Sequence, residues 1–236
     1  MKKAFTMIEL IFIIVVVGIL AAVAVPQINR NSLVEAADQV AAHIRYTQQL
    51  AMNDNKFDPN DPDWFKKLWR IQFSYTTAKG SAEGWTYTVY YDSTMSGNPN
   101  GSADLSDLSR VDFAIDPQNP NKILSAGFQN QAINRNAERI NKKLNLSKTY
   151  DIRNVEFTNC GDRANQTIVF DSYGRPMGQV ADSNVPYDRL FTFDENNRPC
   201  IITLTNNAGE HALITIQPET GYVNYTLASN TGPGGQ

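Results

Sequence analysis

One carboxylate interrupts an otherwise apolar stretch: Glu9 is the single ionisable side chain between Met7 and Val25. An acid kept in the interior of an apolar phase costs about 2.5–3.5 kcal/mol even on lenient scales. A chain that retains one there needs a partner of opposite charge for it. Cys160 and Cys200, the two cysteines, both fall in the last third. Outside the cytoplasm a disulfide is their natural chemistry. Two free thiols, or a nucleophilic thiol served by His43 or His211, remain open, although no spacing places either histidine beside a cysteine. A bridge would close a loop of about forty residues and contribute roughly 3–4 kcal/mol in the chain-entropy account.

The remaining chemistry is weaker. Asp58, Asn60, Asp61 and Asp63 offer hard oxygen ligands and make a calcium candidate, but they lack the spacing of a defined site. The competing reading is a solvated loop that ends a helix. Zinc would need both cysteines and both histidines to converge, so no metal and no cofactor are expected. Arg135, Arg139, Lys142 and Lys143 share one face and could meet an acidic partner or DNA phosphates. A net charge of −3 supplies no general attraction to nucleic acid, which is therefore not an expected partner. Trp69, Trp85, Tyr87 and Tyr90 read as sheet packing rather than as a stacking platform.

Positioning Glu9 is the task of the segment around it. A helix over residues 5–25 would be about 31 Å long, against a hydrocarbon thickness of roughly 30 Å. Lys2 and Lys3 precede it and would hold that end in the cytoplasm. The expectation is an inner-membrane, single-pass chain with its domain in the periplasm. The rival is an ordinary signal peptide cut after Ala24, since Ala22-Val23-Ala24 has the small-x-small form. Glu9 argues against it.

The residues Lys2-Lys3-Ala4-Phe5-Thr6-Met7-Ile8-Glu9-Leu10, followed by the apolar run to Pro26, resemble the leader of type IV pilins and type II secretion pseudopilins. The resemblance implies cleavage by prepilin peptidase between Ala4 and Phe5, N-methylation of Phe5, and an assembly role for Glu9. In that family the equivalent carboxylate is thought to meet the terminal ammonium of a neighbouring subunit. Ala4 stands where the family usually has glycine. Residues 46–55, 168–175 and 214–223 are similar to the GspH/FimT type of minor pilin.

The organisation that follows is a leader over 1–4, an apolar helix over 5–25, an amphipathic continuation over 26–56 and a β-rich domain over 57–236. Leu33, Ala37, Val40, Ile44 and Ala51 recur at helical spacing. Pro26 predicts a kink. Trp69 to Tyr75 and Trp85 to Tyr91 alternate as a hairpin, and a helix is expected over about 129–146. Further strands are expected at Asn154 to Thr158, Thr167 to Asp171, Arg189 to Phe193, Ile201 to Thr205, Ala212 to Gln217 and Tyr222 to Leu227. Asn206 to Gly209 and Pro218 to Gly221 would turn the last three into a meander. The expected class is α+β: a pilin-like fold with a long N-terminal helix, membrane-spanning in its first half, packed on one antiparallel sheet. The function expected is a minor, non-enzymatic structural subunit of a pilus or secretion pseudopilus. Its partners would be prepilin peptidase, other pilin or pseudopilin subunits and the inner membrane. The alternatives are a DNA- or surface-binding minor pilin and a secreted soluble protein.

Overall fold

A computed structural model describes residues 7–76, 83–99, 112–127, 138–161 and 166–228, with residues 21–31 given as helix without their side chains. Helix α1 runs Met7–Asn53. Its second half has alanines at 36, 37, 41 and 51, all buried, which let the helix lie close on a sheet surface. Leu33, Val40 and Ile44 fill the spaces between. Pro26 lies within the helix bounds and does not end it; its side chain is outside the described residues. After Asn53 a loop carries Pro59 and Pro62 to a 3-10 turn over Trp64–Lys67.

Among the described residues ten strands follow, in three sheets. β1 (Trp69–Thr76) and β2 (Gly84–Tyr91) form the expected hairpin, in register from Trp69 opposite Tyr91 to Thr76 opposite Gly84. β3 (Ile115–Asp116) and β4 (Asn119–Ile123) make a two-stranded ribbon. A 3-10 turn over Lys142–Leu144 and a short helix α2 (Leu146–Tyr150) lead to β5 (Ile152–Thr158). β6 (Thr167–Phe170) and β7 (Pro176–Met177) join the hairpin in the order β2-β1-β6-β7. β8 (Cys200–Asn206), β9 (His211–Ile216) and β10 (Val223–Ala228) form the meander, completed as β10-β9-β8-β5. One core joins α1 to both four-stranded sheets, with Ile71, Tyr87, Ile168, Ile202, Leu204 and Ile214 at its centre.

Two expectations are corrected. The pilin-like α+β arrangement called for one sheet beneath a helix whose first half spans a membrane. The strands instead divide between two four-stranded sheets and a ribbon, because β1 takes its second neighbour from β6, far along the chain. Among the described residues no helix is long and apolar enough to cross a membrane. The expected inner-membrane, single-pass placement is overturned by the same finding.

Local expectations also shift. The first half of the helix expected over 129–146 lies outside the described residues, and the second half is not a continuous helix. Within its described part, Ile140 bridges Ile123 in parallel and the 3-10 turn follows. The strand expected at Arg189 to Phe193 is reduced to a single bridge, Leu190 with Met177. Gly178 N donates to Arg189 O and Phe191 N to Pro176 O around it.

Candidate assembly surface and the helix–sheet junction

Every described side chain from Met7 to Leu20 is exposed, Met7 at 83% and Leu20 at 64%. Ile, Val, Leu and Phe dominate this stretch, and Glu9 lies among them. Ala4 and Phe5, the expected cleavage and methylation positions, lie outside the described residues. An apolar surface wrapping a helix on all sides must be covered in the working state. Residues 7–20 are therefore a candidate interaction surface.

The other half of α1 fixes where the domain sits relative to that surface. Gln48 Nε2 donates to Gly174 O at 2.8 Å and to Thr220 O at 2.9 Å. One side chain thereby ties the helix to the loop after β6 and to the β9–β10 turn. Both loops need glycine. Gly174 has φ +80°, and a Cβ there would lie 3.0 Å from both Gln48 Nε2 and Met52 Sδ. Gly221 has φ +64°, and a Cβ there would strike the Gly174 carbonyl oxygen and Gln48 Nε2. Arg45 adds a forked bond from Nε and Nη2 to Val223 O, at 3.3 and 2.9 Å. Residues 46–55, 168–175 and 214–223 thus meet at one junction. The periodicity of α1 marks Gln48 only as polar, so sequence reasoning missed it.

One turn earlier, a buried polar network crosses from α1 to β2 and α2. Gln39 Nε2 donates to the Tyr87 hydroxyl at 2.7 Å and to Lys143 O at 3.2 Å, and Tyr150 donates to Gln39 Oε1 at 2.7 Å. His43 Nδ1 lies 2.7 Å from the same Tyr87 hydroxyl. Having accepted from Gln39, that hydroxyl donates to Nδ1, so the neutral imidazole carries its proton on Nε2. Burial pushes the His43 pKa down, and the Asp116 carboxylate opposes the shift. Burial holds the Tyr87 hydroxyl well above the ordinary phenol range. His211 is apart from this network and meets Thr205 Oγ1 at 3.0 Å.

Cys160 and Cys200 form a disulfide with Cα atoms 4.5 Å apart, which removes the free-thiol and nucleophile readings. It joins the end of β5 to the start of β8, strands already paired. In the acidic loop the calcium candidates do not cluster: among the described residues no three His, Cys, Asp or Glu side chains converge on a common point. Its carboxylates serve the backbone instead. Asp58 Oδ1 accepts from Asn60 N at 2.9 Å, Asp61 Oδ1 from Asp63 N at 2.9 Å, and Asp61 Oδ2 from Lys67 Nζ at 2.6 Å. The Lys67 bond and the Asp63 amide hold the Asp61 pKa below its usual value.

The expected basic face is not assembled as such. Arg135 lies outside the described residues. Lys142 and Lys143 border a groove of about 1060 Å³ whose walls also carry Glu35, Asp38, Asp116 and Glu138, so the charge there is mixed. Trp69 and Trp85 are buried and bond through Nε1 to Asp54 Oδ2 at 2.8 Å and Arg153 O at 3.2 Å. Tyr87 and Tyr90 are fully buried, so none of the four offers a stacking face. No protein-family model matches this chain, and no curated protein or solved structure is significantly similar to it.

Proposed function

We propose that this chain is a structural, non-enzymatic subunit of a type IV pilus or type II secretion pseudopilus, processed by prepilin peptidase and joined to its neighbours through the N-terminal part of α1. The observation that carries the reading is the exposed apolar surface of residues 7–20 with Glu9 within it, directly after a segment that resembles a prepilin leader. Covering each large apolar side chain contributes about 1.5–3 kcal/mol, and the same segment of neighbouring copies is apolar enough to cover it. Glu9 would then enter a dry contact, where only an opposite charge such as a neighbour's terminal ammonium offsets its desolvation. A minor subunit fits better than a repeated shaft subunit, because bulky decoration of the domain is hard to pack at every position.

The test is the mature N-terminus of the chain co-expressed with a prepilin peptidase, read by mass spectrometry. A methylated Phe5 is expected, and a start at Val25 overturns the reading. Glu9→Val is expected to leave processing intact while reducing incorporation into filaments. Normal incorporation of that variant would remove the role given to the carboxylate.

A further inference from the structure

Among the described residues, the β10-β9-β8-β5 sheet ends in an edge strand, β10, that only Arg45 caps, at its first outward position. Three bonds fix which of its backbone groups point outward. Asn206 N donates to Glu210 O, so β9 residues of even number face β8. Gln217 N donates to Tyr222 O, so β9 residues of odd number face β10 and meet its even-numbered residues. The odd-numbered residues of β10 therefore aim their amide and carbonyl groups away from β9. Arg45, which reaches Val223 O from α1, agrees with that phase and occupies the first of these positions. Among the described residues, the outward N–H and C=O of Tyr225 and Leu227 have no partner.

Edge strands of natural proteins are commonly blunted by Lys, Pro, inward charges or a bulge. β10 reads Val-Asn-Tyr-Thr-Leu-Ala and carries no charge and no proline. Its pairing with β9 is in continuous register. Leu227 is 52% exposed, on the same side of the strand as half-buried Tyr225.

We infer that β10 is a self-pairing edge: two copies of this chain join β10 to β10 in antiparallel fashion about a two-fold axis at Thr226, making one eight-stranded sheet. Of the two-fold registers open to the strand, this one uses the unpartnered groups and leaves Arg45 on Val223. Tyr225 N–H and C=O of one copy exchange bonds with Leu227 C=O and N–H of the other, and the axis repeats the exchange. The exposed Leu227 is then covered by the Tyr225 ring across the strand pair. An isologous contact of this kind closes on itself. It turns the two α1 helices in opposite directions, so the pair is a state of the unassembled chain and excludes a filament in which every copy points one way. The inference does not rest on the filament reading.

At the axis, Thr226 faces its own copy as a non-hydrogen-bonded antiparallel pair, where Cα atoms approach to about 4.5 Å and a disulfide fits. Thr226 is exposed, and both native cysteines are already bonded. The experiment uses the full chain in detergent micelles that cover residues 7–20, under mild oxidation, with covalent dimer read on non-reducing gels. Thr226→Cys is expected to cross-link. Asn224→Cys lies on the same exposed face but opposite Ala228 in this register, and is not expected to. Leu227→Pro, placed in the Thr226→Cys chain, removes an outward N–H that β9 does not use. It is expected to cut cross-linking about tenfold or more while leaving the melting temperature near that of Thr226→Cys alone. Equal cross-linking at 224 and 226, none at either, or cross-linking that survives Leu227→Pro each overturns the inference.

Discussion

Replacing Gly221 by alanine places a methyl group at the point where the helix and both sheets are joined. Gly221 has φ +64°, a conformation that costs about 1–2 kcal/mol for a residue with a Cβ. The new Cβ would also strike the Gly174 carbonyl oxygen, which is backbone, and Gln48 Nε2. Relief requires the turn to move away from α1, which breaks the Gln48 bonds to Gly174 O and Thr220 O, each worth a net 0.5–1.5 kcal/mol or about that. The sum is a loss of roughly 2–5 kcal/mol, a large share of the 5–15 kcal/mol typical of a domain. Gly174→Ala is the control. Its φ of +80° carries a similar strain, but its Cβ meets only the ends of Gln48 and Met52, at 3.0 Å. Contacts at that distance are relieved by shifts of a few tenths of an ångström, which leave the Gln48 bonds in place, so about 1–2.5 kcal/mol is expected. Urea unfolding followed by tryptophan fluorescence suits the comparison, because Trp64, Trp69 and Trp85 are all buried in the domain. If Gly221→Ala is no more destabilising than Gly174→Ala, the junction does not bear the strain assigned to it.

Two further outcomes follow from the buried polar groups. His43 has a folded-state pKa below its ordinary 6.5, so the unfolded chain binds a proton that the folded chain resists. The stability this gives is complete above about pH 6.5 and is lost as pH falls below it. Melting temperatures measured from pH 7.5 to 5 should decline, and His43→Gln should flatten that decline; an unchanged slope would refute the assignment. Arg70 and Asp92 form an ion pair at 3.3 Å with both side chains 0% exposed. Arg70→Met strands a carboxylate that organises the Ser96 and Gly97 amides and should cost about 3–5 kcal/mol. Adding Asp92→Asn should recover part of this in a double-mutant cycle, and strict additivity would show that the pair is not coupled.

The sequence disclosed elements better than it disclosed their partners. The stripe from Leu33 to Ala51 was legible because an amphipathic helix repeats its buried face at a fixed spacing, and all five positions named from that spacing are buried. The β1–β2 and β8-β9-β10 connections were legible because local turns set them. The β1–β6 pairing was not, since alternation says that a residue faces a core and not which strand lies beside it. That gap turned one expected sheet into two. Arg189 to Phe193 alternates like a strand, yet its partner β7 is two residues long, so the ladder stops at one bridge. The acidic loop looked like a ligand set because Asp and Asn serve cations and turns with the same oxygen atoms; here amides and Lys67 take them.

The form of α1 explains why polar residues carry its specificity. The alanines at 36, 37, 41 and 51 give it a smooth buried face, which permits close approach but distinguishes poorly between axial positions. A slip of one turn would move the helix about 5.4 Å and would cost little at the alanines themselves, leaving Leu33, Val40 and Ile44 to resist it by packing alone. The same slip would take Gln48 from Gly174 and Thr220, Arg45 from Val223, and Gln39 and His43 from Tyr87. Each of those groups would then be left partly desolvated without its partner, at about 1–3 kcal/mol apiece. Polar side chains on the two flanks of the buried stripe, Gln39 and His43 on one and Arg45 and Gln48 on the other, therefore set its register against both sheets. Because residues 7–20 continue the same helix, they also set where the domain lies relative to the apolar surface and to Glu9.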